Sequence, residues 1–158
     1  MNLSEHFTLE EATFSGTAAR LGIGNTPLSD ILLNMIKAAE YLEQLRTYIN
    51  QRINITSWYR SELLNSNITG SSRTSAHISG FAIDCRTEKL TVLELCKVTK
   101  EFLDHTNIPY DQIIHEYGSW MHISFDPRNR QECLTIFKNN QGKKYLSGLL
   151  SEKEYNLT

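Results

Sequence analysis

Two short segments concentrate the side chains able to do chemistry: Ser75-Ala76-His77-Ile78-Ser79-Gly80-Phe81-Ala82-Ile83-Asp84 and Glu116-Tyr117-Gly118-Ser119-Trp120-Met121-His122. Two imidazoles and one carboxylate, with no thiolate beside them, suit Zn2+. That ion takes nitrogen and hard oxygen donors, and its catalytic sites keep a fourth position for water. His77, Asp84 and His122 are the candidate metal ligands. His77 and Asp84 are seven positions apart, so on one continuous strand they would face opposite ways. The chain must bend between them, and Gly80 is the residue that allows it. His77 is expected on the loop before a strand and Asp84 inside that strand.

The elements that must position these residues can be traced along the chain. Thr8-Leu9-Glu10-Glu11 has the pattern of a capping box, so a short helix should follow and end near Gly22 and Gly24. Thr26-Pro27 is expected to open the longest helix, with Pro27 at its first position. Leu28, Ile31, Leu32, Met35, Ile36, Ala39, Leu42 and Leu45 recur at three- and four-residue steps, which predicts a core-facing stripe. Residues 53–59 alternate and are rich in β-formers, predicting a strand. A turn of helix and an exposed polar loop over 65–75 should follow, then a strand over 81–85. Thr91-Val92-Leu93-Glu94 predicts a capped helix that Asn107 and Pro109 end.

Residues 112–117 and 120–125 read as a hairpin around Gly118-Ser119. A last strand is predicted over 133–138, a turn over 140–142, and a polar, frayed end. The sum is an α+β domain: helices packed on one face of a mainly antiparallel sheet.

Composition narrows the function classes. A length of 158 residues fits a single domain, 1–158, able to bury a core without staples. A formal net charge of −2 gives no broad basic field, so nucleic acid is not an expected partner. Cys85, Cys96 and Cys133 form no CxxC pair and read as buried thiols of a protein made in a reducing compartment. No basic region followed by an apolar run opens the sequence, so no signal peptide is expected. No stretch approaches the ~20 apolar residues of a membrane span. His6 and His105 fit no constellation and are expected on the surface.

Ser57-Trp58-Tyr59-Arg60-Ser61, then Ser75 to Asp84, then Trp120-Met121-His122, together resemble the zinc D-Ala-D-Ala carboxypeptidase family. That family includes bacterial cell-wall carboxypeptidases and phage endolysins on the hedgehog/DD-peptidase fold. Its pattern is Ser-x-Tyr-Arg, a short helix and loop, Ser-x-His-x-x-Gly-x-Ala-x-Asp, and a late His just after an aromatic. The resemblance covers about residues 3–126 and is nearest the smaller, phage-type members. Residues 127–158 form a C-terminal extension of unknown role.

The resemblance implies that His77, Asp84 and His122 bind Zn2+, and that Arg60 is a catalytic and substrate-binding residue. A guanidinium is a planar, always charged clamp for a carboxylate or a scissile carbonyl. Ser75 and Trp120 are further substrate-binding candidates. Ser75 is equally a loop cap, and Trp120 equally a core residue. A metal-activated water also needs a group to accept its proton and pass it to the leaving amine. Many members carry Glu or Asp three residues before the last His, where this chain has Ser119, so Glu116 is the nearby carboxylate. A three-residue loop over 117–119 would pair Glu116 with Trp120, on the His122 face; a two-residue loop would put His115 opposite His122. Glu116 is favoured over His115 as the catalytic base.

The function this implies is that of a zinc metallopeptidase hydrolysing an amide bond in peptidoglycan stem peptides. It would be a D-Ala-D-Ala carboxypeptidase, or an endopeptidase cutting L-Ala-D-Glu or a cross-link. A phage endolysin or a virion-associated lysis enzyme would act on the cell wall after release from the cytoplasm or from a virion. The expected partner is the peptidoglycan peptide, with no membrane involved, and the expected state is a monomer. The alternative is a non-catalytic zinc-binding structural or interaction module on the same fold, which would need neither Arg60 nor Glu116.

Overall fold

The computed structural model describes residues 1–156. The elements run α1 (Leu9–Thr13), α2 (Gly16–Leu21), α3 (Ser29–Ile49), β1 (Asn54–Ser57), α4 (Glu62–Ser66), β2 (Ala82–Arg86), α5 (Val92–Thr106), β3 (Gln112–Glu116), β4 (Trp120–Ser124), β5 (Glu132–Asn139), β6 (Gly142–Ser147) and α6 (Glu152–Tyr155). The six strands form one sheet in the order β1-β2-β4-β3-β5-β6. All neighbours are antiparallel except β3 and β5, which run parallel. The class is therefore α+β, with a mostly antiparallel sheet.

Alternation along the strands divides the sheet into two faces. Ile83, Cys85, Ile113, Met121 and Ile123 join Met35, Ala39, Leu42, Leu45, Leu95, Cys96 and Phe102 of α3 and α5 in the hydrophobic core. The residues between them in sequence, Asp84, Ile114, Glu116, Trp120 and His122, point to the other face. Directly opposed residues share a face, so the pairs Asp84–His122, Ile114–His122 and Glu116–Trp120 fix this division.

Capping explains where the helices begin. Thr8 accepts from the Glu11 amide and Ser15 from the Ala18 amide. The second cap splits the single short helix expected at the N-terminus into α1 and α2. Gly22, in the left-handed region at φ 64°, ends α2. Thr91 and Glu94 form the complete capping box at the start of α5. Pro27 is not the first residue of α3, which begins at Ser29 with Leu28 as an extended N-cap. Leu28 is consequently 70% exposed and is not part of the core stripe.

The C-terminal region departs most from expectation. Residues 132–139 form β5, and residues 142–147, where only the end of the 140–142 turn and a polar, frayed tail were expected, form β6. The predicted frayed end instead contains a short helix, α6, with its own capping box at Ser151 and Glu154. Residues 157 and 158 lie outside the described residues. Tyr155 stacks on Phe137 at 4.3 Å between ring centroids and so fixes α6 against β5. Cys85 and Cys96 are buried, whereas Cys133 is only half-buried; all three are free thiols. The loop over 65–75 is not uniformly exposed either. Asn65 is buried and donates to the Ser72 carbonyl, and its own carbonyl accepts from the Ser71 hydroxyl.

Candidate active site and metal centre

The bend between His77 and Asp84 occurs at Gly80, at φ 79°. A Cβ there would come within 2.7 Å of Met35 Cγ and 3.1 Å of the Ile31 carbonyl, so close packing on α3 and the left-handed backbone both require glycine. The Gly80 carbonyl accepts a 2.8 Å hydrogen bond from the indole of buried Trp58. The Trp58 carbonyl in turn accepts from His77 Nδ1 at 2.6 Å. A carbonyl has no proton to give, so Nδ1 carries the imidazole hydrogen and Nε2 presents its lone pair inward. A ligating histidine is commonly oriented in this way.

His77 Nε2 lies 3.2 Å from Asp84 Oδ1, and His122 Nδ1 lies 2.9 Å from the same oxygen. The three donor atoms fall within 4.8 Å of one another, and all three residues are buried. Tetrahedral zinc, with bonds of roughly 2.1 Å, would hold neighbouring donors about 3.4 Å apart. The spacing and the nitrogen–oxygen–nitrogen chemistry therefore fit that ion. Burial alone would raise the Asp84 pKa, yet the two histidines hold its carboxyl far below the usual range. Burial lowers the His77 pKa against the opposing pull of Asp84, keeping the imidazole neutral, as a ligand must be.

Asp84 Oδ2 is occupied separately. Arg60 Nη2 donates to it at 2.9 Å, while Arg60 Nε donates to the Ser57 hydroxyl at 3.1 Å. A β-bulge between Ile55 and Ser57 aligns Ser57 with Asp84 and thereby turns it to this face. Asn25 secures the segment from behind, donating to the Thr13 and Tyr59 carbonyls and accepting from the Ser61 amide.

Glu116 stands at the end of β3 with Oε1 4.0 Å from His122 Nδ1. Burial, and then the Asp84 charge, push its pKa upward. Such a shift moves a carboxyl toward the range useful for proton transfer near neutral pH. The hairpin takes the three-residue loop: Tyr117 and Gly118 adopt φ 55° and 63°, and the Ser119 amide donates to the Glu116 carbonyl. His115 consequently pairs with Met121 rather than with His122. It faces the helix side, where its Nδ1 meets the Leu150 carbonyl at 3.0 Å, so it lies on the face opposite the His77–Asp84–His122 group.

A cleft of about 390 Å³ opens over these residues, lined by Ser57, Arg60, His77, Asp84, Glu116 and Trp120, among others. Trp120 thus contributes a wall, with its ring 5.5 Å from that of Tyr117 and its indole N–H without an acceptor among the described residues. Ser75 is not in the cleft. Its hydroxyl accepts from the His77 amide at 3.3 Å, and it lines a larger groove of about 1280 Å³ with Asp30, Asn34, Glu62 and Arg73. That groove lacks the clustered donors, so size does not locate the chemistry.

Three contributors escaped sequence reasoning. Ser57 sits inside the Ser-x-Tyr-Arg motif, which could have revealed it. The Trp58 carbonyl is backbone and leaves no trace in residue type. Lys143 belongs to a segment with no motif. His6, by contrast, is exposed as expected and hydrogen-bonds Glu43, and His105 caps its own helix through the Glu101 carbonyl.

The Peptidase M15 family profile matches residues 5–124. The chain belongs to the M15 peptidase family. This is the zinc D-Ala-D-Ala carboxypeptidase-like family whose pattern the sequence carries. No curated protein matches the chain. Membership makes the chain a peptidase of a zinc-dependent, cell-wall-directed family, and it places the buried His77–Asp84–His122 group within the matched residues. The matched stretch ends at β4, so β5, β6 and α6 lie beyond it. Among the described residues, no helix of this M15 member is long and apolar enough to cross a membrane.

Proposed function

We propose that this M15 peptidase hydrolyses an amide bond in the stem peptides of peptidoglycan, with zinc held by His77, Asp84 and His122. The observation that carries the reading is the convergence of three buried donors within 4.8 Å, beside a carboxyl, Glu116, whose pKa is raised. Zinc, when bound, would supply Lewis-acid polarisation of the scissile carbonyl and lower the pKa of a water.

The chain's own groups would do the rest. Glu116 takes a proton from the attacking water and returns it to the leaving amine. Arg60 holds Asp84 in its orientation through Oδ2 and presents its positive charge to the substrate's carboxylate or carbonyl oxygen. Trp120 forms a wall that limits water around the peptide. The reading includes the hedgehog/DD-peptidase arrangement of the fold, a single domain spanning 1–158, a monomer, and a phage endolysin or virion-associated role.

The test is a digest of purified peptidoglycan with and without chelator, with the products analysed by mass. Loss of one terminal alanine identifies a carboxypeptidase, and separated stem peptides or opened cross-links identify an endopeptidase. An unchanged digest with zinc-loaded protein overturns the proposal.

A further inference from the structure

The β5–β6 hairpin lies outside the family match, yet its tip reaches the cleft. β5 runs parallel to β3 as far as the pair Glu116–Ile136 and then continues to Asn139, past the end of β3. The Tyr117 amide donates to the Ile136 carbonyl at 2.8 Å, binding the β3–β4 loop to the overhanging hairpin. β6 returns with Lys143 opposite Lys138 and Tyr145 opposite Ile136. Ile136 opposes Glu116, so Tyr145, and Lys143 two residues before it, share the face that carries Glu116, Trp120 and His122.

Lys143 lines the cleft, and its ammonium sits about 4.0 Å from where a side chain on Gly70 would begin. The hairpin therefore meets the 68–71 loop there and closes that end. In strand order, Arg60 follows β1 at one edge of the sheet and Lys143 lies on β6 at the other. The strands bearing Asp84, His122 and Glu116 stand between them. These two are the basic groups among the described cleft-lining residues. Arg60 is engaged by Asp84 at 2.9 Å, whereas Lys143 lies over the Tyr145 ring, 4.9 Å from its centroid. An aromatic face restrains an ammonium without neutralising it. With a divalent ion present, the two cleft carboxylates would be outweighed by positive charge, which favours an anionic ligand.

We propose that Lys143 is a specificity-determining residue that binds a carboxylate of the peptide substrate at the end of the cleft away from Arg60, with Tyr145 as the positioning residue that holds its ammonium. The inference rests on the peptidase reading above and adds to it the class of substrate: a peptide with an acidic group remote from the bond to be cut. The β5–β6 hairpin is then the element that adapts a shared catalytic core to one peptide chemistry.

The experiment compares two versions of one stem peptide, its carboxylates free or amidated, by calorimetric binding and by hydrolysis. The proteins are full-length zinc-loaded wild type, Lys143→Ala and Lys143→Arg. Loss of a charge-assisted hydrogen bond at this end should weaken binding of the acid form by about tenfold in Lys143→Ala. Binding of the amidated form, zinc content and melting temperature should stay unchanged. Lys143→Arg should retain most of the preference for the acid form. Equal loss for both peptides, no loss for either, or no binding of either by the wild type overturns the assignment. An acid-form preference that is present in the wild type and lost in Lys143→Ala, with neither peptide cut, overturns the peptidase reading instead and leaves the role of Lys143 supported.

Discussion

Two buried aspartates flank the β3–β4 hairpin, and they are held in opposite ways. Asp84, on β2 opposite His122 midway along β4, has two imidazoles converging on one of its oxygens. Asp111, beside the far end, is fully enclosed by a clasp that leaves nothing to coordinate: Arg130 donates from Nε and Nη2 at 2.9 and 2.7 Å, and from its amide at 3.1 Å. Arg128 adds a longer contact of 3.6 Å. Burial would raise the Asp111 pKa, but the Arg130 hydrogen bonds and the two charges lower it. An identical side chain thus serves as an open donor in one place and as a closed bolt in the other. What differs is that Asp84 gives only Oδ2 to a cation, Arg60, and leaves Oδ1 facing two imidazoles, whereas arginine takes both oxygens of Asp111.

The bolt also serves the cleft. Its arginines lie on the 125–131 crossover that carries the chain from β4 round to β5, so Asp111 anchors the segment that delivers the β5–β6 hairpin to the site.

Substitutions can break this contrast, beginning with the largest effect. Asp84→Ala should abolish zinc-dependent peptidoglycan hydrolysis, because a carboxylate donor and the anchor for Arg60 both disappear; Asp111→Ala should leave hydrolysis detectable and zinc content at the wild-type level. Glu116→Gln should lower kcat by about 10²- to 10⁴-fold, the usual worth of a general base, while zinc content measured by elemental analysis stays at the wild-type level. Asp111→Asn should cost stability instead. Weakening charged hydrogen bonds at a buried site is worth about 2 kcal/mol, read as a lower denaturant midpoint with zinc binding unaffected.

The smallest effect is in pH. The folded Asp111 pKa lies below its unfolded value near 3.8, so its contribution is fully present above that value and is lost as the pH falls through the folded one. The stability gap between wild type and Asp111→Asn should therefore be constant near neutrality and narrow below about pH 4. A gap that widens on acidification would reverse the assignment.

Much of this was legible in the sequence where local chemistry decides the outcome. Odd spacing between His77 and Asp84 demanded a bend, and only Gly80 was free to make it. A three-residue loop at 117–119 was enough to place Glu116 opposite Trp120. What stayed hidden was non-local. Gly142-Lys143-Lys144-Tyr145 has little apolar alternation, and β6 is a strand because β5 offers it an edge. Leu28 obeyed the helical period but fell before the first helical residue. Ser75 sits in the motif and yet turns into the neighbouring groove, because its hydroxyl caps the His77 amide. Residue order could not show that the Trp58 carbonyl would set the His77 tautomer.

The central claim is that His77, Asp84 and His122 form one metal site. Elemental analysis of zinc-loaded, desalted protein tests it most directly, applied to wild type, His77→Ala, Asp84→Ala, His122→Ala and Asp111→Asn. The account predicts one zinc per chain in wild type and Asp111→Asn, and loss of the ion in each of the three ligand variants. Wild-type protein that retains no zinc, or ligand variants that retain it fully while folded, would contradict it.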